Sequence, residues 1–214
     1  MLYYIYDGTL EGLLTAVYEA YYRRQHPDGL LPDKNIQIDI LSSYIHIYTD
    51  DQKAKKVCDA VINKISRQAL GNVKYVFLSN YPDKDTIIYN YIRLGFKAGK
   101  YIDNYLTDNT VYKVHMISHK VSGEAYRMLG LIRFSQSQGG ILYSQIEPDH
   151  NILELLAPHF AKRLADEYWI IHDIKRNLAA VYNKAGYKII YLEYQGQMSI
   201  NETEQRYQNL WKEY

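Results

Sequence analysis

The feature that most constrains this chain is a change of hydrophobic period near residue 130. Before it, apolar residues recur every three or four positions, and after it they tend to alternate. Over 85–105, Ile87, Tyr91, Leu94, Ala98, Ile102 and Tyr105 share one side of a helix. Tyr89, Arg93, Lys97, Lys100 and Asn104 fall within an arc of about 80° on the other side. Gly95 or Gly99 marks an interruption. A helix over about 110–129 turns Val114, Ile117, Val121, Ala125 and Met128 inward. Beyond it, Leu131 to Ser135 and Ile141 to Glu147 flank a Gly-rich turn and read as a hairpin. Trp169 to Asp173, Leu178 to Tyr182 and Lys188 to Tyr194 read as three further strands.

The N-terminal pattern is helical with two short strands. Leu2 to Tyr6 reads as a strand, followed by a helix capped by Asp7 or Thr9 and running to about Arg24. The segments His26 to Gly29 and Pro32-Asp33 mark a loop, and Ile45 to Thr49 a strand. Asp50 or Asp51 then caps a helix carrying Ala54, Val57, Cys58, Val61, Ile62 and Ile65 on one side. Val73 to Leu78 is expected to be helical. Asn151 and Glu154 suggest a helix start, with Pro158 restarting or kinking it, and a last amphipathic helix begins near Asn201. The whole predicts an α+β fold in a single domain over 1–214. Its helix-rich part is about 1–129, and a mostly antiparallel sheet occupies about 130–214.

Composition removes several classes of function. One cysteine, Cys58, leaves no internal disulfide and no Cys-based zinc cluster, and it reads as a packed thiol. The N-terminus lacks a signal-peptide pattern and no apolar run is long enough to span a bilayer, so no membrane association and a cytoplasmic location are expected. There is no nucleotide-binding glycine loop and no nucleophile elbow, and no cofactor is expected. His115 and His119 lie one turn apart, but no third ligand accompanies them, so no metal site is expected.

The charges cancel overall, at +1, yet are unevenly placed. Residues 84–134 hold eight basic and four acidic side chains, whereas 1–60 hold six basic and nine acidic. The basic stretch is interleaved with Tyr89, Tyr91, Tyr101, Tyr105 and Tyr112, out of 24 tyrosines in all. Cations grip phosphates and exposed rings stack on bases, so this mixture suits single-stranded or flipped-out nucleic acid. It equally describes a solvated helix face rimmed by tyrosine. Farther on, Glu124 and Arg127, Arg133, His159 and Arg163, and Asp173 and Arg176 supply carboxylate, imidazole and guanidinium groups. They suit phosphate binding and acid–base chemistry, or helix ion pairs and a sheet-edge network.

Several segments together resemble a bacterial family of DNA metabolism proteins, a domain of unknown function. They are Tyr-Asp-Gly-Thr-Leu-Glu-Gly-Leu-Leu-Thr-Ala-Val-Tyr-Glu-Ala (6–20), Thr-Asp-Asp-Gln-Lys-Ala (49–54), Tyr-Ile-Arg-Leu-Gly-Phe (91–96) and Glu-Ala-Tyr-Arg-Met-Leu-Gly-Leu-Ile-Arg-Phe (124–134). Ile-Glu-Pro-Asp-His-Asn (146–151), His-Phe-Ala-Lys-Arg (159–163) and Trp-Ile-Ile-His-Asp-Ile-Lys-Arg (169–176) complete the set. The resemblance implies a companion of a radical SAM protein in DNA modification or repair, with some relatives fused to a uracil-DNA glycosylase-like domain. It selects Glu124, Arg127, Arg133, His159, Arg163, Trp169, Asp173 and Arg176. It also shows departures, because the family usually has histidine at Tyr126 and runs past Tyr214 into a basic, aromatic tail.

Three functions follow as expectations. The first is a DNA-repair or DNA-modification associated nucleic-acid-binding protein acting with the radical SAM partner. Its DNA would be single-stranded or damaged, with Arg93, Lys97, Lys100, Arg127, Arg133, Arg163 and Arg176 on phosphate. The second is an enzyme acting on a damaged or modified nucleotide, using Glu124, His159 and Asp173. The third is a non-catalytic adaptor for the radical SAM partner.

Overall fold

The structure is a computed structural model, and it describes residues 1–34, 39–136 and 140–193. The fold is α+β, and the chain divides into two compact units, 1–121 and 122–214. No helix among the described residues is long and apolar enough to cross a membrane.

The first unit is built on a strand that is apolar on both faces. β1 (Leu2–Tyr6) lies between β2 (Gly29–Pro32) and β3 (Ser43–His46), parallel to both. Its Tyr4, Ile5 and Tyr6 are buried, as expected of a parallel strand covered by helices. The helices are α1 (Leu10–Tyr22), α2 (Asp51–Lys64), α3 (Arg67–Leu78) and α4 (Lys84–Ala98). A 3-10 turn follows over Gly99–Asn104, and then α5 (Asn109–Leu131), which runs across the division between the units. The loop expected around Pro32 is therefore a strand. Glycine and proline punctuate it, and its pairing comes from β1 rather than from local propensity.

Local capping sets the helix starts. Thr9 Oγ1 accepts from the Gly12 amide at 2.9 Å, while Asp7 Oδ1 holds the Thr9 hydroxyl at 2.6 Å and Asp7 Oδ2 holds that of Thr49 at 2.7 Å. A Cβ at position 12 would lie 2.2 Å from Asp7 Oδ1, so only glycine lets this carboxylate lie against α1. Asp50 and Ser66 cap α2 and α3 through the Lys53 and Ala69 amides. The helix expected over 85–105 ends as α-helix at Ala98, because Gly99 has φ +64, and it continues as the 3-10 turn. Tyr6 Oη donates to Asp85 at 2.7 Å and ties β1 to the first turn of α4. Burial pushes both the Asp85 carboxyl and the Tyr6 phenol upward.

The second unit holds a five-stranded sheet of order β4-β5-β6-β7-β8, mostly antiparallel. The strands are β4 (Ser135–Gln136), β5 (Leu142–Ile146), β6 (Trp169–Asp173), β7 (Leu178–Tyr182) and β8 (Tyr187–Tyr191). β5 and β6 form the one parallel pair among the described residues of this sheet, joined through α6 (Leu153–Arg163). The expected strand from Leu131 is shorter because α5 continues through Leu131. Pro158 lies inside α6 without ending it, and the cap position is Ile152, with no side-chain cap bond. The expected end of the last strand at Tyr194 and the helix from Asn201 lie outside the described residues.

His172 is buried in β6, and its partners fix its tautomer. Nε2 lies 2.9 Å from the Leu192 carbonyl, which only accepts, so Nε2 carries the proton and Nδ1 accepts from Tyr143 Oη at 2.9 Å. Burial pushes its pKa below the ordinary 6.5. Between the two values the unfolded chain binds more protons than the native one, so stability is lost as pH falls below about 6.5. Urea unfolding of the wild type and of His172→Gln from pH 7.5 to 5 should show the variant losing less stability across that interval. Equal losses would remove His172 as a cause.

Candidate functional site

The first unit carries a cleft of about 670 Å³ between α1, α2 and α4. The last turns of α1 supply Tyr18, Tyr21 and Tyr22, because positions three and four apart share a helix face. Tyr18 stacks on Tyr22 with ring centroids 4.1 Å apart, and Tyr21 meets Tyr22 edge-on at 5.6 Å. Tyr21 and Tyr22 are 69% and 65% exposed, a costly placement for two large rings unless something covers them. α2 supplies Lys56 and Lys64, and α4 supplies Arg93, Phe96 and Lys97. The cleft continues past His26 to Arg24 and Tyr89.

Its cations are largely uncompensated. Glu19 is taken up by Arg23 Nε at 2.7 Å and Lys53 Nζ at 2.8 Å. Lys56, Lys64, Arg93 and Lys97 make no ion pair among the described residues, and no carboxylate lines the cleft. Three of the four lie over rings instead: Lys56 over Tyr18 at 5.8 Å, Lys64 over Phe96 at 5.9 Å and Arg93 over Tyr89 at 5.6 Å. Tyr89 is buried rather than exposed on the cationic stripe, and Tyr105 is exposed rather than inward. Lys100 is exposed in the 3-10 turn and does not line this cleft. The arrangement offers flat apolar surface and positive charge within one concavity, and so fits a planar, anionic ligand.

Sequence reasoning placed Arg93 and Lys97 here but missed the α1 and α2 walls. The usable signal was Tyr18, Tyr21 and Tyr22 at helical spacing beside Arg23 and Arg24. The acidic balance of 1–60 concealed it.

The other expected site residues lie in the second unit, and three of them act on one loop. Glu124 accepts from the backbone amides of Asp149 at 2.7 Å and His150 at 3.0 Å. Arg176 donates through Nη1 to the Pro148 carbonyl at 3.0 Å and through Nη2 to that of Asp149. Asp173, fully buried, holds Arg176 Nη1 at 2.8 Å through Oδ2 and accepts the Lys175 and Arg176 amides at Oδ1. Glu124 and Arg176, the latter held by Asp173, thus clamp the backbone of 148–150 from both its donor and its acceptor sides. His159 stands apart from this network, exposed, with its ring edge-on to Phe160 at 5.1 Å. Arg127 and Arg163 are exposed, and Arg133 is exposed with Nη1 donating to the Gly130 and Ile132 carbonyls. Trp169 is core, stacked on Tyr182 at 5.2 Å.

Back in the first unit, His115 Nε2 lies 2.9 Å from Asp103 Oδ1, which also accepts from Tyr91 Oη at 2.6 Å. The described residues hold no group of three His, Cys, Asp or Glu side chains placed to share a metal ion.

Fold and site together define an α+β protein with a cationic, tyrosine-walled cleft. The chain belongs to a family described as a domain of unknown function, DUF4130, whose sequence pattern matches residues 82–214. That span takes in α4, α5 and the second unit, and so includes one wall of the cleft but not α1 or α2. No curated protein matches the chain.

Proposed function

We propose that this is a nucleic-acid-binding protein of DNA repair or DNA modification, working beside a radical SAM enzyme. The observation that carries the nucleic-acid reading is the α1–α2–α4 cleft. Four cations without carboxylate partners stand beside Tyr18, Tyr21, Tyr22 and Phe96. Phosphates neutralise such cations with release of counterions, and bases stack on such rings whatever their sequence. Duplex DNA hides its base faces, so the cleft suits a single strand or an extruded nucleotide. The repair context and the radical SAM companion rest on the family resemblance in the segments quoted above.

Fluorescence anisotropy with labelled single-stranded DNA at low salt tests the reading. Binding is expected, weaker for duplex of equal length and weakened by salt. Tyr21→Leu with Tyr22→Leu should reduce affinity by roughly 1–3 kcal/mol per base released from stacking. No binding to any form of DNA at low salt would end this reading.

A further inference from the structure

A second concavity in the first unit, of about 570 Å³, lies between β2, the start of α4 and the start of α5. Asp28, Asp83, Asn90, Asn109, Thr110 and Lys113 are among its lining residues. Its charge is the opposite of the cleft's, with two carboxylates against one ammonium, so a phosphate is repelled from it. The carboxamides of Asn90 and Asn109 make no hydrogen bond among the described residues. Asp28 is anchored through Oδ2, which accepts from the Leu2 amide at 2.8 Å. Gly29 lets Thr86 and Tyr3 pack closely against β2 in the pocket wall, since a Cβ there would lie 3.0 Å from Thr86 Oγ1 and 3.1 Å from the Tyr3 ring.

The two concavities share a helix face. At 100° per residue, Thr86, Asn90, Arg93 and Lys97 fall within an arc of about 60°, and Asn90 to Lys97 spans about 10 Å along α4. Thr86 and Asn90 line the polar pocket, while Arg93 and Lys97 line the cleft. A single strand gripped at Arg93 and Lys97 therefore has a neighbouring nucleotide within reach of the pocket.

We propose that this polar pocket receives one base of a single strand held along α4 and reads its edge through Asn90 and Asn109. The proposal rests on the nucleic-acid reading of the cleft and adds to it a base preference. Carboxamides pair in bidentate fashion with adenine, and carboxylates accept from the cytosine amino group. Thymine has no exocyclic amino group, so the pocket favours amino-bearing bases over it. The cleft grips phosphate and stacks any base, and the pocket discriminates among bases.

The test is anisotropy with the full chain and labelled oligo(dA) and oligo(dT) of equal length at one salt concentration. Oligo(dA) is expected to bind about fivefold or more tightly, within the range for one good edge contact. Asn90→Ala with Asn109→Ala should abolish that preference and leave oligo(dT) affinity unchanged, which also shows that the variant is folded. Tyr21→Leu with Tyr22→Leu should weaken both oligonucleotides by the same factor. Equal binding of the two by the wild type, or a preference that survives the asparagine changes, overturns the pocket assignment and leaves the cleft reading standing. Binding to neither overturns both.

Discussion

Replacing Arg176 by methionine is expected to cost the second unit about 3–5 kcal/mol of stability, the range for breaking a buried ion pair on one side. Methionine keeps much of the apolar stem but removes the guanidinium, leaving the Asp173 carboxylate, at 0% exposure, with only the Lys175 and Arg176 amides. The carbonyls of Pro148 and Asp149 lose their donor in the same step. Glu124 then holds the 148–150 backbone from its amide side alone. Most of the loss comes from the stranded carboxylate, so Asp173→Leu with Arg176→Met should recover a substantial part of it. Urea unfolding measures both variants. A loss below about 1 kcal/mol would put the pair in the class of exposed ion pairs and remove it as the anchor of this loop.

The parts of the fold legible in the sequence are those in which local and tertiary preferences agree. β6 and β7 lie at the predicted residues because their apolar runs are buried and bounded by turn residues. α4 and α5 follow their periodicity, and the break at Gly99 follows from its positive φ. Two things were not legible. β2 reads as a loop because Gly29 and Pro32 dominate four residues, and its strand character is supplied by β1. The β5–β6 pair is parallel because the chain passes through α6 between them, and alternation does not encode strand direction.

The candidate site divides in the same way. Arg93 and Lys97 are visible as one helix stripe. Lys56 is not, because the charge summed over 1–60 counts Glu19 against it although Glu19 is spent on Arg23 and Lys53, and Lys64 falls between the acidic and the basic stretches. Glu124, Asp173 and Arg176 are visible as polar residues, but nothing in their spacing says that Glu124 and an Arg176 held by Asp173 converge on the backbone of 148–150. That placement makes them positioning groups for the loop carrying Asp149 and His150.

Removing two of the four free cleft cations should change the salt dependence of DNA binding by an amount that can be stated in advance. Each single-strand phosphate contact contributes about −0.7 to the slope of log K against log salt, so four contacts give a slope near −2.8. Raising salt from about 50 to 200 mM then weakens wild-type binding by roughly 50-fold. Lys64→Gln with Lys97→Gln should halve the slope, and the same salt step would cost only about sevenfold. The rings of Tyr18, Tyr21, Tyr22 and Phe96 remain in the variant, so its residual binding should combine an unchanged stacking part with about half the electrostatic part. Lys100→Gln is the control, because Lys100 carries the same charge and is exposed but lies outside the cleft lining. A slope unchanged in the double variant, or changed as much by Lys100→Gln alone, would move the phosphate contacts away from the cleft and onto the general surface.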